Sequence, residues 1–392
     1  MKKCDFCEVE ETESNQVISG DGHSICKSCA ETALLLFGVE EVEKGIRKTI
    51  QEPVEIIGDI FDKKQPKDLK KILDEYVIGQ DSAKKVLSIA VYNHIQRVNN
   101  PELKMSKSNI LMIGNTGTGK TFLAETIAEN LDIPLAIVNT TSITAAGYIG
   151  EDVSSVIERL WKSADEDVKK AEKGIIFLDE IDKNRASVGG TNNKDVNGKA
   201  VQQELLKLLE GDTVKIYPEG SAKNRKSGSV VEINTKDILF IAGGAFVGLK
   251  DKPGVTMTSL GSSNEDKEFS SIIMQELLDS YGIIPEFYGR FPNIVELEPL
   301  TTQMLKNILT IPKDNIIQQY INLFSLEGIN VEFTDKFINN IANEALEVKT
   351  GARGLKTIIE DKLNEILFEI DIFQGCNITV DYSYNKVKVS KV

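Results

Sequence analysis

The sequence predicts an α/β protein: a parallel sheet covered by helices on both faces, with a small cysteine-rich module before it and a mainly α-helical domain after it. Apolar, strand-like runs alternate with helical segments, which is the pattern of a parallel sheet. These runs are Ile110–Ile113, Pro134–Asn139, Ile175–Leu178, Asp237–Gly244 and Asn293–Leu300. A chain of 392 residues has room for two or three domains.

Composition narrows the class of protein. The chain is 41% hydrophobic and 27% charged, which is ordinary for a globular protein. Its formal net charge of −14 disfavours a non-specific nucleic-acid binder. No apolar run reaches the length of a membrane span, and the N-terminus lacks the apolar stretch of a signal peptide. We therefore expect a cytoplasmic protein.

Four of the five cysteines lie in the first 29 residues as two C-x-x-C pairs, with eighteen residues between the pairs. In a reducing compartment this spacing favours a metal over disulfides. Four thiolates complete a closed, structural Zn²⁺ site, which supplies folding energy to a small module. The predicted ligands are Cys4, Cys7, Cys26 and Cys29. Two redox pairs are the alternative; His23 could replace one sulfur, and Cys376 is expected to be an ordinary thiol.

The first strand-like run leads directly into a glycine-rich loop. Residues 109–121 read NILMIGNTGTGKT, which matches G-x-x-x-x-G-K-[ST] between a strand and a helix. Such a loop curls so that its N–H groups point at phosphate oxygens, at the positive end of a helix. Lys120 would reach the β- and γ-phosphates of ATP, and Thr121 would offer its hydroxyl to Mg²⁺. The expected nucleotide contacts are Asn115, Thr116, Gly117, Thr118, Gly119, Lys120, Thr121 and Phe122.

A second strand ends in two acidic residues. In KGIIFLDEID, the buried run Ile175–Leu178 precedes Asp179 and Glu180. Acidic residues at the carboxyl end of a parallel strand face the ligand crevice. Asp179 would hold Mg²⁺ through water, and Glu180 would act as general base on the attacking water. Solvated charges at a strand end are the alternative, which the upstream phosphate loop disfavours.

Several motifs follow one another along nearly the whole chain: the cysteine module, YVIGQ, the phosphate loop, GYIG, FLDEIDK, IPEFYGR and GARGL. In this order they resemble the AAA+ ATPases, and among them the ClpX-type protein-unfolding subunits. We expect a zinc module at 1–48, a linker at 49–65, a large ATPase domain at 66–300 and a small helical lid domain at 301–392. The end of the lid alternates apolar and polar residues around Tyr384-Asn385, which predicts a hairpin.

The resemblance implies hexameric rings with nucleotide bound at subunit interfaces. It assigns Val77 and Ile78 to the adenine, which suits an apolar slot. Arg290 matches the arginine finger that reaches a neighbour's γ-phosphate, and Arg353 matches the sensor-2 arginine. A guanidinium in either place stabilises charge that develops on the transferred phosphoryl group. A surface salt bridge is the alternative for either arginine.

The GYIG stretch is the loop that the resemblance places in a central pore. Tyr148 and Ile149 would press on a translocating polypeptide, because an aromatic ring grips many side chains without needing a sequence. The flanking glycines allow the loop to swing. A core tyrosine at a turn is the alternative. The resemblance also implies a second pore loop at Asn193–Gln203.

Three stretches depart from the family pattern. The strand LFIAGGAF lacks the usual sensor-1 polar residue, and Arg225-Lys226-Ser227 stands where R-K-H is usual in a loop that selects substrates. The loop that docks on a ClpP-type peptidase usually carries aliphatic-Gly-Phe or aliphatic-Gly-Leu, and the nearest match here is Leu260-Gly261-Ser262. Loss of the apolar side chain would cost a few kcal/mol per docking site, at roughly 25 cal/mol per Å².

The resemblance implies an ATP-dependent unfoldase that threads tagged or unfolded proteins through a homohexameric pore, with a ClpP-type peptidase as partner. A stand-alone remodelling chaperone fits the altered docking loop. A DNA-handling AAA+ motor is a rival that the acidic charge and Tyr148 disfavour. An ATP-gated scaffold is a rival that the presence of both Glu180 and Arg290 disfavours.

Overall fold

The computed structural model describes residues 3–7, 9, 17–20, 23–30, 64–143, 152–185, 193–217, 230–249, 276, 278–383 and 386–391. The chain divides into two compact units, Met1–Glu55 and Ile56–Val392. The division falls inside the predicted linker, whereas the predicted boundary near residue 300 stays a prediction. Within the described ranges, no helix combines the length and the apolar character needed to cross a bilayer.

The first unit contains a short hairpin. Strands β1 (Val17–Gly20) and β2 (His23–Cys26) pair antiparallel, with Val17 opposite Cys26. Its buried cluster in the described residues consists of Cys4, Val17 and Cys26. So small an apolar core leaves the module dependent on another source of stability, which a structural metal supplies.

The second unit is built on a parallel sheet. Its strands as far as residue 296 are β3 (Ile110–Ile113), β4 (Leu135–Asn139), β5 (Ile175–Asp179), β6 (Thr213–Ile216), β7 (Val231–Asn234), β8 (Leu239–Gly244) and β9 (Asn293–Glu296). The sheet order is β4-β5-β8-β3-β9, all parallel, while β6 and β7 form a separate antiparallel pair. Register pairs Ile113 with Gly244 and Asn139 with Asp179, so the carboxyl ends of four strands meet at one edge.

Helices cover both faces of this sheet. They are α1 (Pro66–Tyr76), α2 (Asp81–Asn99), α3 (Lys120–Asn130), α4 (Val153–Ser163), α5 (Val168–Ala171), α6 (Asn193–Glu210) and α7 (Pro285–Tyr288). Alternate strand residues point to opposite faces. Ile176 of β5 packs in a core with α4 and α6, while its neighbour Phe177 packs in a core with α1, α2 and α3. The predicted fold class is confirmed.

The C-terminal part has a core of its own. Its elements are α8 (Thr302–Thr310), α9 (Ile316–Leu326), β10 (Asn330–Phe333), α10 (Asp335–Glu347), α11 (Ala352–Phe368), β11 (Asn377–Ser383) and β12 (Lys386–Lys391). Strand β10 pairs parallel with β11, and β11 pairs antiparallel with β12. The predicted terminal hairpin is therefore confirmed, although its turn residues Tyr384 and Asn385 lie outside the described residues.

One segment differs from expectation. Asn193–Gln203, expected as a second pore loop, lies inside helix α6, which starts at Asn193. Val201 and Leu205 are fully buried one turn apart and anchor the helix on the sheet. Burial of this apolar stripe favours a continuous helix, because most helix stability in proteins comes from packing of one face.

Candidate nucleotide-binding and zinc sites

The phosphate loop between β3 and α3 is held by its own lysine. Lys120 Nζ donates hydrogen bonds to the carbonyl oxygens of Gly114, at 2.6 Å, and Asn115, at 3.0 Å. Burial lowers the pKa of Lys120, and the nearby carboxylates of Asp179 and Asp182 oppose that shift. The ammonium thus rests on carbonyl acceptors that phosphate oxygens can replace.

Gly117 connects this loop to the C-terminal part of the chain. Its φ of 78° lies in the left-handed region, and a Cβ there would overlap the carbonyl of Thr350. Its own carbonyl oxygen accepts a hydrogen bond of 3.1 Å from the N–H of Ala352, at the start of α11. The next residue, Arg353, lines the same cavity as the loop. The phosphate loop is therefore in backbone contact with Ala352, the residue that precedes the predicted sensor-2 arginine.

The predicted Mg²⁺ ligands lie next to each other. Thr121 Oγ1 donates to Asp179 Oδ2 at 3.2 Å, and the N–H of Glu180 donates to Asp179 Oδ1 at 2.9 Å. Hydroxyl and carboxylate oxygens are the ligands that Mg²⁺ prefers. These residues therefore fit the ion, which would polarise the phosphoryl oxygens of a bound nucleotide.

A residue that the sequence did not single out contacts the predicted general base, Glu180. Asn139, the last residue of β4, donates from Nδ2 to Glu180 Oε2 at 3.2 Å. Asn139 is the polar residue that ends an otherwise apolar strand, and this strand lies next to the one that carries Asp179. That position was the available signal, but it required knowledge that β4 and β5 are neighbours.

A cavity of about 510 Å³ lies over the phosphate loop, which is within the usual size range for small-molecule sites. Its charged part is lined by Lys120, Asp179, Glu180, Asp182, Lys183 and Arg353. Its apolar part is lined by Tyr76, Phe122, Ile308, Pro312 and Ile316. Charge for the phosphates and apolar surface for a flat base thus occur in one cavity, as a nucleotide requires.

The two residues expected to contact the adenine base are not among the described residues that line the cavity. Tyr76 lines the cavity, while Val77 is buried in the apolar core beside α2 and α3, and neither Val77 nor Ile78 is among the described lining residues. The Nζ of Lys313 lies over the ring of Tyr76, 5.8 Å from its centroid. The assignment of Val77 and Ile78 to the adenine stays a prediction.

Arg290 lies apart from the cavity lining of its own chain. It follows α7, is half exposed, and forms an ion pair with Glu210 at the end of α6. Its carbonyl oxygen accepts a hydrogen bond of 3.0 Å from Asn109 Nδ2. Among the described residues, the guanidinium is therefore paired with a surface carboxylate and does not line the cavity of its own chain.

Gln202 links the turn Ile181–Asn184 to the segment that leads to Arg290. Its side chain is fully buried and donates from Nε2 to the carbonyls of Asn184, at 2.7 Å, and Gly282, at 3.0 Å. Its Oε1 accepts from the N–H of Ile284 at 2.9 Å. A buried amide with all these bonds fixes the two backbone segments relative to each other.

The four predicted zinc ligands converge. The sulfur atoms of Cys4, Cys7, Cys26 and Cys29 all lie within 4.8 Å of one another. Burial opposes ionisation of Cys4, but hydrogen bonds from backbone N–H groups outweigh it and lower its pKa to about 6. The side chain of Cys7, together with burial, raises the pKa of Cys29 to about 12. Four such thiolates need a cation to coexist, and the set fits Zn²⁺. Neither His23 nor Cys376 belongs to this cluster.

Some predicted residues cannot be placed. Tyr148 and Ile149 lie outside the described residues, as do Arg225-Lys226-Ser227 and Leu260-Gly261-Ser262. Their roles stay predictions.

Known proteins resemble the chain along its whole length. The AAA domain family (Cdc48 subfamily) matches residues 105–294, the C-terminal D2-small domain of ClpB matches residues 300–377, and the ClpX C4-type zinc finger matches residues 2–36. The ATP-dependent Clp protease ATP-binding subunit ClpX of Bacteroides thetaiotaomicron is 40% identical over 403 aligned positions, which cover 99% of this chain and 96% of that protein. The subunit named ClpX 2 of Wolinella succinogenes is 42% identical over 376 positions, which cover 94% and 91%.

These matches agree with the geometry of both sites. The chain is an ATPase, with ATP and Mg²⁺ at the phosphate loop and Zn²⁺ at the four cysteines. Because the identity extends over nearly all of both chains, the protein belongs to the ClpX family of AAA+ ATPases.

Proposed function

We propose that the chain is an ATP-dependent protein unfoldase that threads polypeptides through the central pore of a homohexamer. The observation that carries the proposal is the hydrogen bond from Ala352 N–H to the Gly117 carbonyl. It joins the loop that receives the phosphates to the helix that begins the sensor-2 segment. A change of ligand at the loop therefore acts directly on the position of α11, which is how a nucleotide would drive movement.

The residues of the site divide the chemistry among them. Lys120, which now donates to the Gly114 and Asn115 carbonyls, would neutralise the β- and γ-phosphates, and Thr121 and Asp179 would hold Mg²⁺. Glu180, oriented by Asn139, accepts a proton from the attacking water. Arg353 contributes positive charge from the C-terminal side of the cavity. These groups would bind the nucleotide and activate the water, and the arginine of IPEFYGR is not among the described residues that line the cavity.

Arg290 supplies that arginine to a neighbouring subunit in our proposal. Its half-exposed guanidinium lies away from its own cavity and is paired only with the half-exposed Glu210 among the contacts that the structure describes. An exchange of this surface ion pair for a phosphate contact is inexpensive, because exposed pairs are worth about 1 kcal/mol or less. A ring of identical subunits then completes each site from two chains, as closed cyclic symmetry allows.

The grip on substrate rests on the sequence of GYIG, with Tyr148 and Ile149 in the pore. A DNA-handling motor of the same fold is the rival, and the net charge of −14 disfavours it. The names of the relatives, ATP-binding subunits of the Clp protease, support delivery of unfolded chains to a ClpP-type peptidase.

A stand-alone remodelling chaperone is the second candidate, because serine ends Leu260-Gly261-Ser262. The deciding experiment follows unfolding of a tagged fluorescent protein with ATP, with and without a ClpP-type peptidase. Loss of fluorescence with release of peptides supports the protease motor. Loss of fluorescence without peptides supports the stand-alone chaperone. ATP turnover with neither signal contradicts both, and stimulation of that turnover by DNA would favour the motor that acts on nucleic acid.

A further inference from the structure

Asp182 is a buried carboxylate whose role the assigned site leaves open. It lies in the 3₁₀ turn Ile181–Asn184, two residues after the general base, and it lines the nucleotide cavity with 2% of its surface exposed. Its Oδ1 accepts a hydrogen bond of 3.2 Å from the N–H of Ala245. Its Oδ2 has no hydrogen-bond partner among the described residues; the ammonium of Lys183 lies 3.6 Å away.

The end of β8 lies close to this carboxylate and to the ring of Phe246. The strand ends in Gly243 and Gly244, and a Cβ on Gly244 would lie 2.9 Å from Asp182 Oδ1. The strand between β3 and β5 therefore brings no polar side chain of its own to the cavity at these two positions. The polar group at that place comes from the turn after β5.

A buried carboxylate oxygen without a hydrogen-bond donor destabilises the folded protein, because it has lost its hydrogen bonds to water and has gained none in return. The nearby ammonium of Lys120 is attracted by both Asp179 and Asp182. In our assignment, however, Lys120 binds phosphate once a nucleotide is present. Among the described contacts Oδ2 then keeps the ion pair with the half-exposed ammonium of Lys183 at 3.6 Å, which is beyond hydrogen-bond distance, so a group bound in the cavity can supply the missing donor.

A hydrated Mg²⁺ supplies such donors. The ion keeps several water molecules when it binds, and each water donates hydrogen bonds to acceptors around it. Thr121 and Asp179 would hold the ion, and the turn Ile181–Asn184 presents Asp182 to the same cavity. An outer oxygen acceptor of this kind orients the coordinated water and adds negative charge opposite the cation.

We propose that Asp182 is a positioning residue for the divalent cation, and that its Oδ2 accepts a hydrogen bond from a metal-bound water molecule. The proposal rests on the ATPase site and not on protein unfolding. Failure of the unfolding experiment would therefore leave it untouched.

The test separates metal affinity from nucleotide affinity in the full-length protein. Free Mn²⁺, which gives an electron paramagnetic resonance signal, is titrated with the ADP-loaded wild type and with Asp182→Asn. Binding of a fluorescent ADP analogue is measured in parallel in excess EDTA. Asn keeps an oxygen for the Ala245 N–H but removes the charge. We expect Mn²⁺ affinity to fall about tenfold or more, whereas metal-free ADP binding stays unchanged or becomes tighter because one negative charge has gone.

Glu125→Gln is the matched control, because Glu125 is another carboxylate that lines the same cavity. We expect it to leave Mn²⁺ affinity unchanged. Equal losses of Mn²⁺ and metal-free ADP binding in Asp182→Asn would indicate a structural role and overturn the proposal, as would unchanged Mn²⁺ affinity. If Asp182→Asn melts below the assay temperature, Asp182→Ser replaces it in the same two titrations. A wild type that binds ADP but no Mn²⁺ would refute the metal site itself.

Discussion

The side-chain amide of Asn139 donates a hydrogen bond of 3.2 Å to the carboxylate of Glu180 across the carboxyl ends of β4 and β5. Asn139 is the register partner of Asp179, so the bond reaches one residue past the end of the paired strands. The amide cannot easily turn round, because its Oδ1 accepts from both the N–H and the hydroxyl of Thr141, at 2.9 and 2.7 Å. The orientation of Glu180, the predicted general base, is therefore constrained by a residue on another strand.

We predict that Asn139→Ala lowers the kcat of ATP hydrolysis with little change in nucleotide affinity, since the side chain touches Glu180 and no assigned nucleotide contact. Removal of the base itself by Glu180→Gln should cost roughly 100-fold or more, and loss of its orientation should cost a fraction of that, on the order of 10-fold. Steady-state kinetics and titration with a fluorescent nucleotide measure the two effects. A weaker affinity at unchanged kcat would contradict the assignment.

Mixed rings test whether Arg290 acts on a neighbour. Arg290→Ala and Lys120→Ala should each hydrolyse ATP poorly alone, because one lacks the finger and the other lacks the phosphate-binding ammonium. When the two variants are mixed, a ring can place the intact phosphate loop of one subunit beside the intact arginine finger of its neighbour. Part of the kcat should therefore return. ATPase rates are measured across mixing ratios. Glu210→Ala should keep activity, because the exposed pair with Arg290 contributes little. A mixture as inactive as its components would show that Arg290 does not act between subunits.

Zinc should bind at a ratio of one ion per chain. Cys26→Ser should abolish retention, because Cys26 is fully buried among the other three sulfur atoms and an alcohol is a poor zinc ligand. Zinc is released in denaturant and measured with a chromogenic chelator. Cys376→Ser serves as the control and should keep the full zinc content. Retention of zinc by Cys26→Ser would exclude the four-cysteine site.

Acid should destabilise the second unit through His94. Its Nε2 donates to the carbonyl of Lys173 at 2.8 Å, and its Nδ1 is buried without a partner. Burial, together with the nearby charges of Arg97 and Lys107, lowers its pKa from 6.5 to about 4. The unfolded chain therefore takes up the proton first, and the free energy of unfolding falls as the pH drops from about 6.5 towards 4.

The free energy of unfolding should fall by about 3 kcal/mol over this pH range, since each unit of difference in pKa is worth about 1.36 kcal/mol. His94→Gln, which keeps a donor and cannot be protonated, should show a flatter dependence in urea unfolding followed between pH 7 and pH 4.5. Parallel curves for the wild type and His94→Gln would contradict the prediction.

Tyr148→Ala should separate ATP hydrolysis from unfolding. The ring has no place in the assigned nucleotide contacts, so ATP turnover should remain while loss of fluorescence from a tagged substrate slows strongly. Tyr148→Phe keeps the ring and should restore most of the unfolding rate, since grip comes from the aromatic face. Wild-type rates of both reactions in Tyr148→Ala would rule out a pore-loop role.

The parts of this protein that could be predicted are those carried by local patterns. Strand β3 has the predicted bounds, Ile110–Ile113. Its four apolar residues stand directly before the phosphate-loop motif, which follows a strand and precedes a helix. The end of β5 was predicted to within one residue for the same reason. The cysteine site followed from two pairs at short spacing. The residues of each strand are adjacent in sequence, and those of the cysteine site come as two short-range pairs.

The sequence by itself determined the fold class, the phosphate loop, the acidic pair and the zinc ligands. The tertiary structure alone decided that Asn139 lies beside Glu180, that Tyr76, Ile308 and residues 312–316 line the cavity, and that Asp182 and Phe246 pack against Gly244. It also turned the expected loop at 193–203 into helix α6. The physical reason is that these contacts join chain segments far apart in sequence. The order of the strands in the sheet brings these segments together. The local sequence pattern does not show which strands are neighbours or which carboxylate becomes buried.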